Sequence, residues 1–229
     1  MIPIRDTIRA RTWPVVNYAL IALCAWAFWR ELAAGPDVDA LIESYALTPS
    51  TFLKSVARHG WFELAQWKPF VSSMFLHGGL AHFAGNMIFL WIFGDNVEDR
   101  FGHVGYALFY LAGGIAAAAA HVLASPDSTV PTLGASGAIA AVMGAYMLLY
   151  PGARIESLVI VVLFVRVISV PAFFWLGLWF VFQLISGTVD ARGSGEGGVA
   201  FWAHIGGFAF GAAVVLLLGM RGERPVRAA

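Results

Sequence analysis

Four polar side chains stand inside apolar runs of this 229-residue chain: His82, Asn86, Ser136 and His204. Together their types point to acyl transfer. A serine hydroxyl is a weak nucleophile near neutral pH; an imidazole that takes its proton activates it, then protonates a leaving amine. The tetrahedral intermediate needs hydrogen-bond donors aimed at its oxyanion. The Ser136 backbone N–H near a helix start, the Asn86 carboxamide and the His82 ring are suitable donors. Glycines flank the hydroxyl in Gly134-Ala135-Ser136-Gly137 and leave room for a substrate backbone. Each residue alone has a plainer reading: a serine bonded to its own helix, an asparagine gluing helices together, glycines for tight packing.

The elements that must position these groups follow from composition. Hydrophobic residues make up 59% of the chain and charged residues 12%, against roughly 25% charged in an average soluble domain. The chain therefore reads as an all-α polytopic membrane protein, embedded in a lipid bilayer. Six spans are expected, near 13–32, 78–93, 104–124, 131–150, the part of 158–185 after Pro171, and 199–220. The Val/Ile-rich stretch 158–170 leaves room for a separate half-span. The organisation is then an N-terminal cytoplasmic segment 1–12, a membrane domain 13–220 and a cytoplasmic tail 221–229. Arg5, Arg9 and Arg11 before the first span and Arg221, Arg224 and Arg227 after the last put both termini in the cytoplasm.

With that orientation the second, fourth and sixth spans all run inward from the outer face. His82, Ser136 and His204 each fall a few residues in, about 6–9 Å below the outer surface at 1.5 Å per residue. Asn86 lies one turn below His82 on the same face. The stripes Ser136/Ala140/Gly144 and Ala203/Gly207/Gly211 are small enough to bring the fourth and sixth helices into close contact. A serine–histidine hydrogen bond requires such contact.

Other classes lack their signatures. Fourteen basic and fourteen acidic residues balance, which gives no general pull toward nucleic acid. Cys24 is the single cysteine and has no internal disulfide partner. There is no His-Glu-x-x-His motif, no structural zinc pattern and no pair of span-embedded aspartates, so no metal or other cofactor is expected. The paired midplane charges of a transporter are missing as well. Asp95, Glu98, Asp99 and Arg100 read as a solvated cytoplasmic turn.

In order along the chain, Gln66-Trp67-Lys68-Pro69-Phe70, His77 to Asn86 with His82-Phe83-Ala84-Gly85-Asn86, Gly134-Ala135-Ser136-Gly137 and Ala203-His204-Ile205-Gly206-Gly207 resemble the rhomboid family of intramembrane serine proteases. The resemblance covers about residues 67–211. It implies a six-transmembrane-helix rhomboid-like bundle with a Ser136–His204 dyad. His82, Asn86 and the Ser136 backbone would form the oxyanion hole. The outward segment before the second span would form a partly embedded loop, and the fifth span with the loop 187–198 a gate. The implied setting is a cell inner membrane, with the site opening to the periplasmic side and single-span transmembrane proteins as substrates. The rival reading is a catalytically inactive relative that binds membrane clients. Two positions depart from the family pattern: Ala140 stands where an aromatic residue often stacks on the histidine, and Lys68 replaces an arginine.

Overall fold

The computed structural model describes residues 2–161, 164–189, 199–220 and 222. The loop 190–198 and all of the expected tail except Gly222 lie outside the described residues. The fold is mostly helical: α1 (Val15–Ala34), α2 (Val38–Tyr45), α3 (Pro49–His59), α4 (Lys68–Ser72), α5 (Leu80–Ala124), α6 (Ser136–Leu149), α7 (Ala172–Val189) and α8 (Phe201–Leu217). It also contains β1 (Ile2–Asp6), β2 (Arg154–Val161) and β3 (Phe164–Pro171), so the all-α expectation is corrected.

Among the described residues, three helical segments are long and apolar enough to cross a membrane: the one that contains α1, then α5, and α7. The apolar helices α6 and α8 are shorter, at 14 and 17 residues. α5 is two helices in one. Gly102, at φ 69°, breaks it, a conformation that favours glycine. A Cβ on Gly94 would lie 2.7 Å from the Tyr106 hydroxyl oxygen. Twelve residues of straight helix span about 18 Å, so the chain must double back at Gly102. Apolar side chains such as Leu108, Leu123, Phe174, Leu178 and Leu217 remain exposed around the bundle, as a lipid-facing surface requires.

The stretch 158–170 is not a half-span. β2 and β3 pair antiparallel, Arg154 opposite Pro171 through Val161 opposite Phe164, and β1 pairs antiparallel with β2. Dense β-branching favours a strand, and the third strand supplies the support that an isolated hairpin lacks. Arg5 binds Glu156 at 2.7 Å, and Trp175 Nε1 donates to Ser157 Oγ at 3.0 Å, which ties the sheet to α7. The expected N-terminal segment 1–12 is thus partly a strand.

The presumed solvated turn is also corrected. Glu98 is 1% exposed. Its two carboxylate oxygens accept the Val16 and Asn17 N–H groups, capping the start of α1 where helical N–H groups lack partners. Nearby, Asp6 accepts hydrogen bonds from the Tyr146 hydroxyl and from Asn96 Nδ2.

Burial pushes the Asp6 carboxyl from 3.8 up to about 6, against the opposing hydrogen bond from Tyr146. A carboxyl with a raised folded pKa binds its proton more tightly when folded. Its contribution is therefore complete below pH 3.8 and lost as pH rises through about 6. Amide-exchange protection of β1, corrected for intrinsic rates, is expected to be higher at pH 5 than at pH 8. Asp6→Asn should flatten that difference; equal protection at both pH values in the wild type would contradict the argument.

Candidate active site

Ser136 is the first residue of α6, which starts five residues after the beginning of the expected span 131–150. The preceding segment 131–135 is pinned from both sides. Thr132 exchanges backbone hydrogen bonds with Leu47, and Gly134 N–H donates to Ser73 O. Fourteen helical residues rise only about 21 Å, short of the roughly 30 Å hydrocarbon core. The first N–H groups of such a helix have no intrahelical partners, and the Ser136 N–H is one of these.

His204 is the fourth residue of α8. Three glycines bring the two helices together. A Cβ on Gly207 would overlap the Gly137 carbonyl, one on Gly211 the Ala141 carbonyl, and one on Gly144 the Phe208 carbonyl. In that backbone-to-backbone contact, His204 Nε2 lies 2.7 Å from Ser136 Oγ.

His82 is the third residue of α5, and Gly78 N–H reaches its Nδ1 at 3.3 Å. The backbone N–H can only donate, so Nδ1 accepts, and in the neutral ring the proton resides on Nε2. Gly134, at φ 127°, separates this ring from the serine. A Cβ there would stand 2.7 Å from His82 Cε1, 2.8 Å from Nε2 and 3.6 Å from Ser136 Oγ. Asn86 is buried, and its Nδ2 has no hydrogen-bond partner among the described residues. All four predicted residues line one cavity of about 950 Å³.

Two further groups, both on α7, escaped the sequence reading. Gln183 Oε1 lies 2.8 Å from His204 Nδ1, and the Trp179 ring packs on the His204 ring at 5.8 Å between centroids. They are four residues apart on α7 and so share a face. The only signal available was a carboxamide in an otherwise apolar span. Glu31 was likewise missed: it is 4% exposed, and both its oxygens accept the His77 N–H, fixing the approach to α5. At Lys68, the ammonium sits 3.8 Å from the Tyr45 ring centre, a contact that its charge sustains without an arginine fork.

A Rhomboid domain model matches residues 64–221. Rhomboid protease GluP of Bacillus subtilis is 31% identical over 135 residues, covering 58% of this chain and 24% of that protein. Rhomboid-like protein 11, chloroplastic, of Arabidopsis thaliana is 40% identical over 73 residues, covering 32% of this chain and 26% of its own length. Rhomboid protein 1, mitochondrial, of Saccharomyces cerevisiae is 32% identical over 147 residues, covering 62% and 39% respectively. The matched part of the chain spans about a quarter of the first two relatives.

Proposed function

The chain belongs to the rhomboid family, and from that premise we propose that it is an intramembrane serine endopeptidase that cuts single-span membrane proteins near the outer interface. The observation that carries this reading is the 2.7 Å approach of Ser136 Oγ to His204 Nε2. His204 takes the hydroxyl proton as Ser136 Oγ attacks the scissile carbonyl carbon. The carbonyl oxygen becomes an oxyanion, held by the Ser136 N–H, Asn86 Nδ2 and His82 Nε2–H. Collapse breaks the C–N bond, and His204 returns the proton to the departing amine. Water then enters, loses a proton to His204 and hydrolyses the acyl-enzyme.

Reading α5 as two passes gives six in all, with both termini cytoplasmic in a bacterial-type inner membrane and the cavity open outward. A substrate is best cut where its helix unwinds easily, since an intact helix shields its carbonyls. The reading is tested by reconstituting the protein in liposomes with a panel of single-span substrates and locating the cut by mass, alongside fluorophosphonate labelling. Cleavage near the outer interface and labelling at Ser136 are expected. Binding of clients with neither outcome would transfer the chain to the inactive-relative reading.

The unpaired Asn86 amide supports its assignment as an oxyanion donor, because a buried donor without a partner is costly unless an acceptor arrives. Asn86→Ala is expected to lower kcat about 10²–10³-fold with little change in KM. A KM effect alone would make Asn86 a substrate-binding or packing residue instead.

A further inference from the structure

We infer that Gln183, on α7, is the positioning residue that sets the tautomer and orientation of His204, an inference that rests on the dyad reading above. An imidazole can serve as base at Nε2 only when its Nδ1 carries the proton, and something must hold that proton. Ala140 is a methyl group and supplies neither stacking nor a polar contact. Gln183 does what that position cannot. Its Oε1 lies 2.8 Å from His204 Nδ1, opposite the 2.7 Å contact of Nε2 with Ser136 Oγ. A carbonyl oxygen only accepts, so Nδ1–H donates and the Nε2 lone pair faces the serine hydroxyl. Gln183 is 6% exposed, so bulk water does not replace the bond. Trp179, one turn away, packs against the same ring.

The three partners lie on three helices. Ser136 and His204 belong to α6 and α8, joined by backbone contact, while Gln183 reaches in from α7. The dyad is therefore fully oriented only when α7 packs against α8 in the arrangement seen here. The neutral amide also differs from a carboxylate, since it aligns the ring without adding a negative charge to favour imidazolium.

The test compares wild type, Gln183→Leu and Gln183→Glu in liposomes. Leucine fills similar volume without an acceptor; glutamate keeps the acceptor and adds charge. Expected for Gln183→Leu is a kcat about 10–100-fold lower at unchanged KM. Gln183→Glu should recover most of the rate and move the acid limb of fluorophosphonate labelling to higher pH. A residue that merely glues α7 to α8 would move thermal stability in both variants but shift no pH limb.

The ¹⁵N spectrum of histidine-labelled protein reads the tautomer whether or not turnover occurs. It should show Nδ1–H at His204 in wild type and a mixture in Gln183→Leu. An Nε2–H wild type, or a Gln183→Leu variant with wild-type tautomer and rate, overturns the inference. If wild type neither labels nor cleaves while the tautomer result holds, the proteolytic reading fails and the positioning role stands.

Discussion

Ser136→Ala is expected to abolish both fluorophosphonate labelling and substrate cleavage, with a loss of about 10⁴-fold or more in kcat. His204→Ala should come within an order of magnitude of it, and the double variant should be no worse than either single. Non-additivity is the informative part. In the proposed dyad, nucleophile and base act through one proton transfer across 2.7 Å, so removing either leaves nothing for the other to do. Independent contributors would instead multiply their losses. Folding should be untouched by Ser136→Ala, because only a hydroxyl half-open to the cavity is lost. Thermal stability within a few degrees of wild type is the required control. Full labelling of Ser136→Ala would exclude this serine as the nucleophile.

The sequence revealed the centre of this site better than its periphery, for a physical reason. Polar atoms within apolar helices are costly, so Ser136, His82, Asn86 and His204 stood out against their surroundings. Small-residue stripes announced which helices touch, and the glycines at 144, 207 and 211 do meet carbonyls of the opposite helix. The support was harder to see. Gln183 is a single amide whose importance depends on which way α7 faces, and no spacing within α7 encodes that. Glu98 looked like a surface charge and Glu31 drew no notice, because both are bound by backbone N–H groups, which every sequence has and none displays. The β2–β3 hairpin was missed because a Val/Ile run has the same hydropathy as a strand or as a helix. Its pairing with β1 joins segments about 150 residues apart.

The second large effect concerns how helices are held rather than what they carry. Gly207→Ala is expected to lower kcat/KM at least about 10²-fold although it changes no catalytic atom, since a displacement of order 1 Å at the reacting groups has that consequence. Its new methyl would overlap the Gly137 carbonyl. A backbone carbonyl one residue beyond Ser136 cannot swing aside as a flexible side chain would. The accommodation left is separation of α6 from α8, which lengthens the bond from Ser136 to His204. Gly207→Val should go further and reduce the yield of folded protein, because overpacking a tight core commonly costs about 1–3 kcal/mol or more. The control is Gly177→Ala on α7, where an added Cβ meets nothing within 4 Å. There the higher helix propensity of alanine should leave activity intact and stability equal or slightly raised. Measuring kcat/KM and thermal unfolding for all three separates the causes. If Gly207→Ala and Gly177→Ala behave alike, close backbone approach is not what holds the dyad together, and His204 must be held against Ser136 by its contacts with α7 instead.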